Sequence, residues 1–390
     1  MDILICNPIR TAIGAFQGGF ANLTAVDLAT SLTKHILSST GLSNESINEL
    51  IVGSVLTAGQ GQAPARQVVI KSGLAQSTHA MTINKVCSSG LKAIMLAADQ
   101  IRLGDSKSVI AGGMESMSNA PYILPSLRSG ARYGNTSAED TIIKDGLWCA
   151  YNNYLMGCAA ELLAKEHKIT REQQDEFATE SYNRAINAIN NGNFKNEIIG
   201  VTAKVGKEEV TIDKDEEPFK ANLSKIPTLK PAFDKAGTVT AANASSLNDG
   251  AALTLVCNED FAKANKLTPV ARIRSYATHS QQPEWFTTAP IEAVKKAVSK
   301  AGLKLSDIDL FEINEAFSCV AIACRNGLEV DPSKLNINGG AVALGHPIGA
   351  SGARILVTLI HSLKRMNKKL GAVGICNGGG EATSMVIELI

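Results

Sequence analysis

Net charge, zinc-type cysteine spacings and long apolar runs are all missing from this 390-residue chain. Its 38 basic side chains offset 37 acidic ones, so there is no broad cationic field of the kind that holds a nucleic-acid backbone or an acidic membrane surface. The eight cysteines include no Cys-x-x-Cys pair and no Cys/His spacing suited to zinc, which argues against a metal site and leaves free thiols as the expectation. No apolar run approaches the roughly 18 residues that a membrane helix needs. The start, Met1-Asp2-Ile3-Leu4-Ile5-Cys6-Asn7-Pro8, has no basic leader and reads as a first strand, and the end, Glu388-Leu389-Ile390, is not a peroxisomal-type signal. The expected address is the cytoplasm.

What the chain does have is length and clustered glycine. Its length suggests two or three domains and a core large enough to need no metal or disulfide staple. The 33 glycines cluster in the way expected of tight strand-to-helix turns, where backbone approaches a ligand.

The sequence is also duplicated. The run from Gly41 to Gly53 lies over Gly302 to Asn314 without a gap, each copy being a helix stopped by glycine, a short loop and an apolar strand. One residue out of that register, Ser89-Gly90-Leu91-Lys92-Ala93-Ile94 lies over Ser351-Gly352-Ala353-Arg354-Ile355-Leu356, each opening an apolar helix. A third match pairs Ile110-Ala111-Gly112-Gly113-Met114-Glu115 with Cys376-Asn377-Gly378-Gly379-Gly380-Glu381 as two glycine-rich strand exits. Alternating helix and strand in both copies predicts an α/β fold of two pseudo-symmetric halves, each a mainly parallel sheet covered by helices. The middle breaks the pattern with turn-rich segments, one helix over about 153–191 and a charged stretch over 204–230. It reads as an inserted loop domain. The expected division is 1–118 plus 250–268 for the first half, 119–249 for the insertion and 269–390 for the second half.

Four residues stand at predicted C-terminal ends of strands, the side on which open α/β sheets bind ligands. Cys87 follows a β-prone run and precedes a helix that Ser88 or Ser89 can cap. The positive end of a helix favours thiolate, as a nucleophile requires, although a buried structural cysteine is the competing reading. His346 sits among glycines in the equivalent loop of the other half, since Gly349 overlays Cys87. The pseudo-two-fold would bring a base to face a thiol, against the plainer reading of a packed histidine. Cys376 enters the turn Gly378-Gly379-Gly380, whose N–H groups are raw material for an oxyanion hole. A small core residue would fit there too. Asn314 ends an apolar strand, where its amide can hold a water or simply cap the turn.

Together these runs, with Val239-Thr240-Ala241-Ala242-Asn243-Ala244-Ser245-Ser246-Leu247-Asn248-Asp249-Gly250, resemble the thiolase family, and within it the acetyl-CoA acetyltransferases, from the first strand to the last. The resemblance implies a thiolase-like fold assembled as a homotetramer, a dimer of dimers. It implies reversible condensation of two acetyl-CoA to acetoacetyl-CoA and CoA through an acetylated cysteine, with CoA thioesters as substrates and no separate cofactor. Carried over by motif, Cys87 is the nucleophile, His346 its base, and Cys376 the acid/base at the α-carbon. One oxyanion hole combines His346 with a water on Asn314; the other uses the N–H groups of Cys87 and Gly378. Ser245 contacts the pantetheine arm and Phe317 walls the acyl pocket.

The chain departs from the biosynthetic pattern at Leu155, where His is usual before Met156-Gly157, and in the bulkier loop around Trp285 and Phe286. Met156 goes with a short-chain pocket, while Leu155 and Phe286 bear on acyl length. The CoA phosphates call for basic side chains of the insertion, with Lys220 as the candidate. A degradative 3-ketoacyl-CoA thiolase for longer chains is the alternative within the family; from another class, the alternative is a non-catalytic acyl-CoA-binding protein.

Overall fold

The glycine stops seen in the sequence set the frame. In the computed structural model, which describes residues 2–390, the first half runs β1 (Ile3–Arg10), α1 (Ala25–Thr40), β2 (Glu49–Gly53), α2 (Pro64–Ser72), β3 (His79–Ile83), α3 (Ser89–Leu103) and β4 (Ser108–Ser116). The chain then leaves the sheet for α4 (Met156–Glu166), α5 (Arg171–Asn190) and the hairpin β5 (Val201–Val205) and β6 (Glu208–Ile212). It returns as β7 (Asn248–Asn258), and the second half follows as β8 (Ala271–Ser280), α6 (Ala289–Lys300), β9 (Leu310–Ile313), α7 (Ser318–Leu328), α8 (Ile348–Arg365), β10 (Leu370–Asn377) and β11 (Glu381–Leu389). Gly41 and Gly302, with φ of +67° and +72°, end α1 and follow α6, so the first aligned pair is structurally equivalent.

One sheet runs through both halves in the order β9-β10-β11-β8-β1-β7-β4-β2-β3. The halves join where β1 and β8 pair antiparallel through Leu4↔Arg272 and Ile5↔Ala271. Within each half all strands but one point the same way; the reversed strands are β7 and β11. Every residue of β4 and β7 is buried, as expected of strands covered on both faces.

Helices α3 and α8 form the shared core layer between the halves. All residues from Ile348 to Ile360 of α8 are buried, so this helix has no solvent face until its last turn. The two helices cross on their glycines. A Cβ on Gly90 would lie 3.0 Å from Ala353 N, and one on Gly352 would lie 2.7 Å from Leu91 N. The repeated Ser-Gly pair therefore marks a close, pseudo-symmetric helix crossing.

Two expectations need correction. The third repeat match is out of register by four residues: β2 pairs with β4 through Glu49↔Val109, and β9 with β10 through Leu310↔Gly371. That makes Met114 and Cys376 equivalent, and likewise Glu115 and Asn377. Gly112 and Gly113 lie inside β4 rather than at its exit, because a Cβ on Gly113 would lie 2.1 Å from Gly349 O. The single helix expected over about 153–191 is two, α4 and α5, divided where Thr170 and Gln173 form a reciprocal capping box that starts α5. No helix among the described residues is long and apolar enough to cross a membrane.

Candidate active site

Cys87 stands in the turn between β3 and α3. Val86 before it has φ +47°, a strained conformation for a β-branched residue. The turn holds because Asn84 Oδ1 accepts the Val86 N–H at 2.9 Å, while Ser89 Oγ accepts the Lys85 N–H at 2.8 Å and donates to Val86 O at 2.6 Å. Neither serine caps α3 as the sequence suggested: Ser88 instead donates across to Asn377 Oδ1 at 2.7 Å. Nor does the helix end yield a ready thiolate. Burial pushes the Cys87 thiol up to about 12, outweighing the N–H groups of Cys87 and Gly378 that pull it down. A nucleophile placed so needs a base.

His346 precedes α8 and is 5 % exposed. Its backbone N–H donates to Asn248 Oδ1 at 2.9 Å. Ring Nδ1 lies 2.6 Å from Ser351 Oγ, and that hydroxyl donates to Pro347 O at 2.9 Å. The serine oxygen thus accepts Nδ1–H, which leaves Nε2 bare; Nε2 has no partner among the described residues. Burial, with the charge of Arg354 adding to it, lowers the imidazole to about 3. It is neutral at physiological pH, with the Nε2 lone pair unoccupied.

Cys376 is the last residue but one of β10 and is fully buried. Burial raises its thiol well above the usual range, and the neighbouring Cys87 sulfur raises it further. Asn314, just past β9, is 1 % exposed and donates its backbone N–H to Gly374 O at 2.9 Å. Both side-chain amide atoms lack a partner among the described residues, so it does not cap the turn. Burying an amide unpaired costs about 1–3 kcal/mol, a penalty tolerated where a ligand supplies the partner.

A cavity of about 330 Å³ brings the predicted residues together: Cys87, His346 and Gly378 line it with Leu155, Met156, Ser245, Phe286 and Phe317. Cys376 and Asn314 stand outside that lining. Ser245 Oγ donates to Ala316 O at 3.0 Å. Lys220 is exposed and outside the cavity lining.

Sequence reasoning missed several supporting residues. Phe233, from the insertion, meets Phe317 edge-on with centroids 6.1 Å apart. A π-helical turn, Ile142–Leu147, covers one wall of the cavity. Buried Glu115 accepts N–H groups from Val55 at 3.0 Å, Leu56 at 3.2 Å and Gly349 at 2.8 Å, tying the His346 loop to the first half. Ser351 had a signal in the repeat itself: it overlays Ser89, and both serines brace the turn before their helix.

Comparison with known proteins gives a consistent picture. The family model "Thiolase, N-terminal domain" matches residues 3–260 and "Thiolase, C-terminal domain" matches 267–389. An acetyl-CoA acetyltransferase of Cupriavidus necator is 50 % identical over 389 residues, covering 99 % of both chains. One of Escherichia coli is 49 % identical over 390 residues, with 99 % of each chain covered. Among solved structures, an acetyl-CoA acetyltransferase of Bacillus anthracis superimposes with a TM-score of 0.97 at 39 % identity, over 100 % of this chain and 99 % of that one. A thiolase of Ascaris suum in complex with coenzyme A gives 0.95 at 43 % identity over the full length of both.

Proposed function

The chain belongs to the thiolase family, and from that premise we propose that it is an acetyl-CoA acetyltransferase, joining two acetyl-CoA into acetoacetyl-CoA and CoA and running the reverse cleavage. The observation that carries this reading is a cavity lined by both Cys87 and a neutral His346 whose Nε2 is bare, with Cys376 outside the lining but near enough for the Cys87 sulfur to raise its thiol.

In the first half, His346 Nε2 takes the Cys87 thiol proton as the sulfur attacks the thioester carbon. The carbon–sulfur bond to CoA breaks, and the CoA thiolate leaves with the proton from His346. In the second half, Cys376 passes its own thiol proton to the imidazole and removes the α-proton of the incoming acetyl-CoA. The enolate carbon attacks the acetyl group, and the expelled Cys87 thiolate recovers its proton from His346. Nε2–H and a water on Asn314 serve one developing oxyanion, and the N–H groups of Cys87 and Gly378 the other; such a donor is worth about 10²–10³ in rate. Ser245 receives the pantetheine arm, and Phe317 walls the acyl end.

The substrates are CoA thioesters, which need no added cofactor because exchange between thiolate and thioester is nearly isoenergetic. A homotetramer, a dimer of dimers, is part of the same proposal. In its support, β3 is an open sheet edge with Met81 exposed, and the insertion exposes Tyr122, Leu127, Tyr133 and Tyr151. The longer-chain alternative draws on the apolar Leu155 in the cavity wall.

The test is Cys376→Ala. This variant should still take acetyl onto Cys87 from acetyl-CoA, seen by peptide mass, while making almost no acetoacetyl-CoA. Condensation at near the parent rate refutes the assignment.

A further inference from the structure

Cys87 and Cys376 belong to different halves, and something must hold them in register. Four side chains outside the cavity lining link their loops: Lys85, Ser88, Asn377 and Glu381. Ser88 Oγ donates to Asn377 Oδ1 at 2.7 Å. Lys85 Nζ forms an ion pair with Glu381 Oε2, which also accepts Asn377 Nδ2 at 3.3 Å. The other Glu381 oxygen accepts the Ser280 hydroxyl at 2.9 Å, anchoring it to the end of β8.

The ion pair joins the two places where the loops would otherwise be least determined. Lys85 precedes the strained Val86, and Glu381 follows Gly379 and Gly380, whose φ values are +93° and +86°. Strained and glycine-rich backbone keeps one conformation only where its surroundings impose it. The Lys85 and Glu381 side chains are 20 % and 30 % exposed, and ion pairs at such partly exposed sites add little to fold stability. What this one supplies is geometry.

We infer that Lys85 and Glu381 are a positioning pair that holds Cys376 opposite the acetyl group on Cys87, and that they matter more for carbon–carbon bond formation and cleavage than for acyl transfer. The inference rests on the roles proposed above for the two cysteines. Loading of Cys87 uses its own loop, His346 and one donor from the Cys376 turn, the Gly378 N–H, whereas condensation uses the same donor and needs the Cys376 sulfur itself in register. Proton removal from the second acetyl-CoA depends on that sulfur, and a misplacement of about 1 Å can cost on the order of 10²-fold.

The experiment uses the full chain with Lys85→Met, Glu381→Gln and the charge-swapped double variant Lys85→Glu/Glu381→Lys. Exchange of labelled CoA into acetyl-CoA reads the Cys87 half-reaction; acetoacetyl-CoA formation and thiolysis read the whole cycle. In the single variants condensation should fall by about tenfold or more, and exchange by at least about threefold less than condensation. The swap, which restores the ion pair but not the bonds that Glu381 accepts from Asn377 and Ser280, should return condensation to at least about threefold above the single variants. The inference is overturned if condensation is unchanged in the single variants, if exchange falls in step with it, or if the swap brings no recovery. Cys376→Ala, run alongside, separates the two levels. If that variant condenses, the cysteine assignment has failed; if it is silent while Lys85→Met condenses normally, only the positioning pair has.

Discussion

Replacing Ser351 by alanine perturbs one hydrogen bond to the candidate base and little else. Pro347 O already accepts the N–H groups of Ala350 and Ser351, both at 2.9 Å, so losing the hydroxyl leaves that carbonyl paired. His346 Nδ1–H loses its acceptor at 2.6 Å. In the resting enzyme the ring is neutral, and such a bond contributes about 0.5–1.5 kcal/mol; as Nε2 takes the Cys87 proton the ring becomes cationic, and the bond is worth about 1.5–3. Only the increment of about 1–1.5 kcal/mol acts on the barrier, which predicts a five- to twelvefold slower acetylation of Cys87. Rapid-quench measurement of Cys87 acetylation by acetyl-CoA checks this, with KM for acetyl-CoA expected to stay near the parent value. Alkylation of Cys87 by iodoacetamide, which needs the same proton transfer, should slow in parallel. Acetylation within twofold of the parent in a folded variant would refute the reasoning, because the ring would then not need Ser351 to carry charge.

Three further perturbations test other parts of the structure. Leu155→His should change the relative thiolysis of acetoacetyl-CoA and longer ketoacyl-CoA more than it changes turnover on the preferred substrate, within the roughly 10–200-fold range open to apolar pockets; an unchanged profile shows that the position does not sense acyl length. Gly113→Ala places a Cβ 2.1 Å from Gly349 O, a backbone atom of the helix that carries the His346 loop. Denaturant unfolding should show a loss of about 3 kcal/mol or more, and a near-neutral result would contradict the close strand-to-helix approach. Glu312 is pushed up to about 8 by burial, against the opposing charge of Arg354. Its folded form therefore holds a proton that the unfolded chain releases near 4.5, so the stability it contributes is complete below that pH and is lost as pH rises through about 8. Scanning calorimetry of Glu312→Gln should show its stability gaining on the parent between pH 5 and 8.5, by up to about 4 kcal/mol; parallel curves would refute the raised value.

Much of the site was legible because its signals are local. Glycine at a helix end, an apolar run and a reactive residue at the junction of the two can be read from neighbouring letters, and the duplication then placed His346 opposite Cys87. The misreadings share a cause. Gly112-Gly113 and Gly378-Gly379-Gly380 look alike as strings, but the first admits Gly349 O into the middle of a strand and the second turns the chain after Cys376. Ser88 and Ser89 are good capping residues by type, yet both spend their hydroxyls elsewhere, on Asn377 and on the Val86 turn. Phe233 reaches the site from a segment whose own sequence carries no periodic or motif signal, and Glu115 closes a glycine run whose letters do not show that its carboxylate meets the N–H groups of Val55, Leu56 and Gly349.

The sequence by itself determined the two-fold repeat, the strands and helices of each half and the residue types able to do thioester chemistry, because backbone propensity and apolar spacing act over a few residues. Tertiary structure alone decided the protonation states. A helix end favours a thiolate, but burial drove Cys87 up to about 12 and His346 down to about 3. Desolvation depends on how much protein surrounds a group from every direction, and most of that protein is remote along the chain.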